Sequence, residues 1–114
     1  MAKPFPDHPN LIGGYAPIQM ECDAPDLVVH GEIPKELCGS LYRIGPNPQF
    51  APRGDYHWFA GDGMVHGFQI DEGRVSYKNR WVRTTNWKIE NEAGEALFSP
   101  LNPMQNDPRV ANVE

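Results

Sequence analysis

The residues in this sequence that could most readily bind a metal ion are its histidines and Asp62, which lies between two of them. The four histidines are His8, His30, His57 and His66. His57 and His66 flank a Gly-Asp-Gly turn signal centred on Asp62, and imidazole and carboxylate ligands on a hairpin can converge on one metal ion. The spacing matches no local metal motif, however, and strand alternation does not oblige His57 and His66 to share a face. We therefore favour histidines that are hydrogen-bonded and packed within a sheet.

The Gly61-Asp62-Gly63 turn also has some likeness to a phosphate-binding loop. Such a loop needs a following Lys-Ser or Lys-Thr pair and a helix whose N-terminus holds the anion, and this segment has neither. Asp62 is instead predicted to be a turn residue whose carboxylate accepts hydrogen bonds from nearby backbone N–H groups.

Aromatic and basic residues alternate with apolar residues through the middle of the chain. The aromatic group could line a tunnel for an apolar ligand, but packing between sheets is the favoured interpretation; its members are Tyr56, Trp58, Phe59, Phe68, Tyr77, Trp81 and Trp87. The arginines are predicted to lie on the solvent or inter-sheet face of strands, and they are Arg43, Arg74, Arg80 and Arg83. These residues alone assign no catalytic role.

Composition limits the fold that must position these groups. The chain has 114 residues, enough for one small domain, with 12 prolines and 11 glycines. Together these two residue types make up about a fifth of the chain, above the roughly 12% usual in globular proteins, which disfavours long helices and favours a loop-rich β fold. The net charge is −5 and no basic block is present, so a nucleic-acid partner is not expected.

Targeting and redox signals are sparse. The first residues lack the apolar core of a signal peptide, and no apolar run approaches the roughly 20 residues of a membrane span. We therefore expect a cytoplasmic location. Cys22 and Cys38 lack CxxC spacing, and we expect them to be reduced thiols.

The order of elements predicts an antiparallel meander. Residues 1–25, rich in proline and glycine, are predicted to form an extended arm, and residues 26–114 the first part of a domain that is incomplete at its C-terminus. Predicted strands cover Asp26–His30, Ser40–Ile44, Met64–Ile70 and Arg74–Thr84. Between the first two we expect a single helical turn over Ile33–Gly39, and proline-containing loop residues follow the second.

The last two strands are predicted to form a hairpin through the three-residue connection Asp71-Glu72-Gly73. After the hairpin the spacing of apolar residues changes from the alternation of a strand to that of a helix. This predicts a short helix over residues 87–97, which Gly94 weakens by roughly 1 kcal/mol. A meander of this kind has two free edges, each of which invites pairing with another strand.

Four blocks of sequence, taken together, are more specific than any single residue. The blocks are Asp26–Pro34, Leu37–Phe50, Trp58–His66 and Tyr77–Thr84. In order and spacing they resemble the N-terminal part of carotenoid cleavage oxygenases across nearly the whole chain.

This resemblance implies a seven-bladed β-propeller of several hundred residues with a non-haem Fe(II) held by four histidines on its axis. It implies O2-dependent cleavage of a conjugated carbon–carbon double bond to two carbonyl products. The present chain would supply the arm and about the first blade. The iron ligands would then lie beyond Glu114, so His66 is not one of them. We assign no metal ligand and no catalytic residue in this chain, and the resemblance marks Phe59 as a substrate-binding residue.

The resemblance leaves the substrate open between two branches. Residues 87–103 are similar to the lignostilbene-cleaving branch, whose members carry a phenol-binding tyrosine two places before an Asn-Pro step. Here Leu101 precedes Asn102, and no tyrosine occurs from Trp87 to Glu114. Loss of that hydroxyl favours a carotenoid or apocarotenoid over a stilbene.

The expected partners are therefore an apolar polyene or stilbene and O2, and the resemblance is also compatible with peripheral contact with a membrane. The oligomeric state is not determined by the sequence. A function of a different class also remains open at this stage, that of a non-catalytic β-sheet binding module.

Overall fold

The computed structural model describes residues 3–113 and is built around one four-stranded antiparallel sheet. In chain order the strands are β1 (Asp23–Ala24), β2 (Gly39–Pro46), β3 (Gly63–Asp71) and β4 (Arg74–Trp81), and their order across the sheet is β1-β4-β3-β2. One α-helix, α1, covers Thr85–Ala93. Short 3-10 turns occupy Gly13–Tyr15, Trp58–Ala60, Pro103–Gln105 and Pro108–Val110.

The predicted meander of β2, β3 and β4 is confirmed. Tyr42 of β2 is paired with Gly67 of β3, which is paired in turn with Lys78 of β4. The hairpin turn is tighter than predicted, because Asp71 and Arg74 are themselves paired and only Glu72 and Gly73 connect the strands. Both have a positive φ, 51° and 74°, as a two-residue turn of type I′ requires. The prediction that β4 continues to Thr84 is wrong, since the strand ends at Trp81.

The prediction of a first strand over Asp26–His30 is wrong. The strand that precedes β2 is the two-residue β1, which pairs with β4. Beyond it, Leu27 still donates its N–H to the carbonyl oxygen of Val75 at 2.8 Å, and then the chain leaves the sheet. The β-branched pair Val28-Val29 favoured a strand, but propensity does not hold a segment that has no partner strand.

The helical turn predicted over Ile33–Gly39 is also wrong. Only one backbone hydrogen bond forms in its first half, from the N–H of Leu37 to the carbonyl oxygen of Pro34 at 3.0 Å. Gly39, predicted to lie just past the end of the turn, is the first residue of β2. Seven residues give too few helical bonds to offset the cost of nucleation, so a simple turn results.

The helix exists, but it is displaced from the predicted residues 87–97. It begins after Thr84, whose hydroxyl accepts a hydrogen bond from the N–H of Trp87 at 3.0 Å. It ends at Gly94, which has a φ of 77° and donates its N–H to the Glu90 carbonyl oxygen at 2.8 Å. Gly94 therefore terminates the helix in the left-handed conformation that glycine allows, and does not weaken its interior.

The core is small and lies where the sheet, α1 and the C-terminal residues meet. Its buried apolar side chains are Leu11, Met64, Trp87, Leu97 and Val110. Among residues 3–113, no helix has both the length and the apolar composition needed to cross a bilayer.

The segment before β2 is fastened along β4 by polar contacts. The Asn79 side chain accepts a hydrogen bond from the N–H of Cys22 at 2.6 Å, and the Glu21 carboxylate accepts one from the N–H of Trp81 at 2.9 Å. Three predicted surface arginines add ion pairs, which are Arg74 with Asp26, Arg80 with Asp23 and Arg83 with Glu21. The C-terminal end of the arm therefore contacts the sheet. The domain boundary at residue 25 stays a prediction.

Asn47 joins three separate parts of the chain. Its side-chain oxygen accepts from the N–H of Ile18 at 2.8 Å, and its amide nitrogen donates to the Ile18 carbonyl oxygen at 2.7 Å. Its backbone N–H donates to the carbonyl oxygen of Asp62 at 2.6 Å, and its own carbonyl oxygen accepts from the indole N–H of Trp81 at 2.8 Å. The arm, the start of β3 and the end of β4 thus converge on one buried residue.

We predict that Asn47→Ala lowers the free energy of unfolding by about 2 kcal/mol, because it removes two hydrogen bonds and leaves the Ile18 amide groups without their partner. Urea denaturation followed by tryptophan fluorescence measures the change. Asn86→Ala is the matched control, since Asn86 is exposed and makes no side-chain hydrogen bond within the described part of the chain. Equal loss of stability in both variants would contradict the role given to Asn47.

Candidate functional site

Four rings form an aromatic cluster beside the sheet, and we use this term for Tyr15, His57, Trp58 and Phe59. The 3-10 turn Trp58–Ala60 presents it, and the turn is capped by the His57 ring, whose Nδ1 accepts from the N–H of Phe59 at 3.1 Å. The Phe59 centroid lies 4.2 Å from that of Trp58 and 4.8 Å from that of His57, both edge to face. Tyr15 of the arm stacks on Trp58 at 5.8 Å.

Phe59, the predicted substrate-binding residue, is the outermost ring of the cluster. Its side chain is 74% exposed, although it is held from below by two other rings. An exposed aromatic ring on a supported turn gives an apolar ligand a rigid surface against which to lie. On the arm side, the cluster borders a cavity of about 290 Å³ that Tyr15, Trp58, Tyr56 and His66 help to line.

The structure does not bring His57, His66 and Asp62 together as metal ligands. His57 caps its own turn, and His66 Nδ1 lies 2.6 Å from the Tyr77 hydroxyl, with the two rings stacked. Residues 3–113 contain no group of three or more His, Cys, Asp or Glu side chains that could hold a metal ion. The groups present therefore do not fit an iron centre, and we derive no chemical step through iron from them.

Asp62 has the role predicted for it. Its carboxylate accepts a hydrogen bond from the N–H of Gln49 at 2.9 Å, across the loop that follows β2. Burial raises the pKa of Asp62 above its ordinary value of 3.8, and the backbone hydrogen bonds it accepts oppose that rise. Burial, with a further contribution from the charge of Asp62, also raises the pKa of the Tyr56 hydroxyl.

Glu90 of α1 is a buried carboxylate in the same region as the half-buried Asp62. It accepts hydrogen bonds from the backbone N–H groups of Leu97 at 2.7 Å and Phe98 at 3.1 Å. Burial raises its pKa, these hydrogen bonds oppose the rise, and the nearby charge of Asp62 adds to it. Asp62 and Glu90 line one small cavity of about 70 Å³, too small for a drug-sized ligand, and both serve to hold loops in place.

The other aromatic residues pack among themselves. Phe68 and Tyr77 form a cross-strand pair with centroids 4.9 Å apart, and Trp81 lies 6.1 Å from Trp87. The Arg83 guanidinium lies 4.4 Å above the Trp87 ring, a cation–π contact. Packing, the favoured interpretation of the aromatic group, holds for these four, whereas Phe59 remains available to a ligand.

Sequence reasoning missed the residues that hold the cluster in place. Asn47 lies in a proline-rich loop and was treated only as part of a break between strands. Tyr15 lies in the arm and gave no periodic signal, so its stacking on Trp58 was not expected.

Cys22 and Cys38 are free thiols in the structure.

The fold and the cluster define a class of protein. A four-stranded antiparallel sheet in which three strands form a meander is the unit from which β-propeller blades are made. The sheet is thus compatible with one blade of a β-propeller, with the arm laid along β4.

Comparison with known families identifies that propeller. The family model described as retinal pigment epithelial membrane protein, RPE65, matches residues 15–114. The chain belongs to this family, that of the carotenoid cleavage oxygenases, as the sequence blocks predicted.

Individual relatives come from two branches. The chain is 41% identical over 108 residues to lignostilbene-alpha,beta-dioxygenase isozyme III of Sphingomonas paucimobilis, covering 93% of this chain and 22% of the relative. It is 40% identical over 98 residues to carotenoid 9,10(9',10')-cleavage dioxygenase 1 of Phaseolus vulgaris, covering 86% and 18%.

Among solved structures, the crystal structure of Pseudomonas brassicacearum lignostilbene dioxygenase matches with a TM-score of 0.88 at 34% identity, covering 98% of this chain and 24% of that one. The chain therefore spans less than a quarter of the length of these relatives.

We predict that Asp62 and Glu90 make the free energy of unfolding fall as pH rises. Both pKa values are raised in the folded state, so the folded protein holds protons that the unfolded chain releases. The stability is fully present below the ordinary values of 3.8 and 4.5 and is lost as pH rises through the higher folded values. Urea midpoints measured from about pH 4 to neutrality should show this loss, and Asp62→Asn/Glu90→Gln should reduce it.

Asp7→Asn/Glu32→Gln is the control, because both of its carboxylates are exposed. Below about pH 4 we expect stability to fall as pH falls. The Arg109 guanidinium lowers the pKa of Asp107 to about 2, and the stabilisation from this pair is lost as acid protonates the carboxylate. An identical pH slope in the two double variants would count against the buried carboxylates.

Proposed function

We propose that this chain is the N-terminal part of a non-haem Fe(II)-dependent dioxygenase that cleaves a conjugated carbon–carbon double bond. In the overall reaction, one alkene and one O2 give two carbonyl products, each of which receives one oxygen atom. The observation that carries the proposal is a family-matched propeller sheet that presents the exposed ring of Phe59 on a supported turn. Fe(II) would be held by histidines outside this chain.

An apocarotenoid or carotenoid is the proposed substrate, and a lignostilbene-type stilbene is the alternative. Relatives of both kinds match, a carotenoid cleavage dioxygenase and a lignostilbene dioxygenase, so family membership supports either. The resemblance to the stilbene branch implies a phenol-binding tyrosine close to the Asn102-Pro103 step. Here no tyrosine occurs from Trp87 to Glu114, and Leu101, which precedes Asn102, is half-exposed and offers no hydrogen bond from its side chain. A phenolic substrate gains nothing from that side chain, whereas an apolar polyene end does.

The alternative of a complete, non-catalytic β-sheet module is less well supported. Strand β2 is exposed along its length, and three of its apolar side chains, Leu41, Tyr42 and Ile44, are each more than half exposed. A finished module buries such a strand or shields its edge. This exposure fits a sheet that belongs to a larger propeller. The cytoplasmic location stays a prediction.

The test of the proposed function is an assay of the full-length protein, expressed from the coding sequence read past Glu114. Loaded with Fe(II) under O2, it should convert an apocarotenoid to aldehydes that mass spectrometry detects. A hydroxystilbene assayed in parallel should be the poorer substrate. Iron removal by a chelator and exclusion of O2 should each abolish product. A pure, iron-loaded protein that forms no aldehyde from either substrate would overturn the proposal.

We predict that Phe59→Ala in the full-length enzyme raises KM about tenfold with a smaller change in kcat, because one apolar contact with the substrate is lost before the chemical step. Initial rates over a range of substrate concentrations give both constants. Val28→Ala is the control, since Val28 is also a highly exposed apolar residue but lies outside the aromatic cluster. Unchanged KM in Phe59→Ala would remove Phe59 from the binding site.

A further inference from the structure

Gly61 ends the turn that carries Phe59, and it is glycine for a reason other than backbone conformation. Its φ of −67° and ψ of 153° are extended values that any residue adopts. Its N–H closes the turn on the Trp58 carbonyl oxygen at 3.4 Å, a bond that most residues could also make. The conformation of the chain therefore does not require glycine at this position.

The space around Gly61 does require it. A Cβ atom here would lie 2.9 Å from the backbone nitrogen of Asn47, 2.9 Å from the Cβ of Pro46 and 3.0 Å from the Tyr56 hydroxyl oxygen. The first two atoms belong to or adjoin the backbone and cannot rotate away, and real Cβ contacts are essentially never this short. Any side chain at position 61 must therefore push the turn away from the loop that follows β2.

That loop is itself fixed, so the displacement falls on the turn. Asn47 is bonded to the arm through Ile18 and to the sheet through Trp81. The residue after Gly61 is held from the same side, because the Asp62 carbonyl oxygen accepts from the Asn47 N–H and the Asp62 carboxylate from the Gln49 N–H. The close approach of two backbones at Gly61 thus sets how far the turn stands from the sheet.

We infer that Gly61 is a positioning residue: its missing side chain seats the turn against Pro46 and Asn47 and thereby sets where Phe59 presents its ring to the substrate. The inference about binding rests on the proposed function of Phe59. Gly61 itself touches no substrate in this account and acts only through the turn.

The experiment uses the full-length enzyme with 4-fluorophenylalanine at position 59 as a probe of ring position. We expect Gly61→Ala to move the 19F resonance of that ring and to raise KM several-fold with kcat nearly unchanged. Gly45→Ala, in β2 and two residues before Asn47, is the matched control. Its φ is not positive, and a Cβ there meets no heavy atom within 4 Å in residues 3–113, so resonance and KM should stay as in the parent.

A double variant separates positioning from general damage. If Gly61 acts through Phe59, adding Gly61→Ala to Phe59→Ala should raise KM little further, because the positioned ring is already gone. A full additive increase in the double variant would overturn the inference, since Gly61 would then act by another route.

The 19F measurement distinguishes failure of the inference from failure of the proposed function. An unmoved resonance in Gly61→Ala overturns the positioning role, whatever the kinetics show. A moved resonance with a normal KM in Phe59→Ala supports the positioning of the ring and overturns only its proposed part in binding.

A second variant keeps the test decisive if Gly61→Ala does not fold, as judged by near-UV circular dichroism. Pro46→Gly adds no atom and loosens the same contact from the other side, so it should shift or broaden the resonance of the labelled ring. A sharp, unmoved resonance in that folded variant would also overturn the inference.

Discussion

The structure depends on one buried amide. The Asn47 side chain closes a two-bond ring with the backbone of Ile18, while the backbone of Asn47 bonds Asp62 and the Trp81 indole. The backbone pairing of β1 with β4 covers only two residues, so side-chain contacts supply much of what holds the arm. An asparagine fits this position because its side chain carries a donor and an acceptor in the arrangement of a backbone amide. At Ile18 the arm therefore forms its hydrogen bonds with the Asn47 side chain and not with a neighbouring strand.

Sequence patterns correctly predicted the elements that depend on residues close together in the chain. The hairpin follows from alternation and from Glu72-Gly73, and the Asp62 cap follows from its place in a Gly-Asp-Gly turn. Some failures have non-local causes. Val28-Val29 looks like a strand, but whether it becomes one depends on a partner 50 residues away, and the chain leaves β4 after Leu27. Gly94 was placed inside a helix because periodicity does not show which glycine takes the left-handed cap.

The candidate site could be predicted only in part, for the same reason. Phe59 was found through resemblance to a family and not through its own pattern, since one exposed aromatic ring is common on protein surfaces. Its supports are distant in sequence. Tyr15 stacks beneath Trp58 from the arm, and Pro46 at the end of β2 and Asn47 directly after it meet Gly61. The spacing of these residues has no period, so only the folded chain shows that they act on one turn.

Solvent exposure differs between the parts of the sheet. On one face of the sheet, Met64 of β3 and Asn79 of β4 are almost wholly buried. The opposite features, strand β2 and the ring of Phe59, are open. The apolar side chains of β2 and the ring of Phe59 thus form a surface on which further chain or a ligand could pack. The supported turn gives Phe59 a fixed position even while its ring stays exposed, and a ring held in advance loses little entropy when a ligand binds.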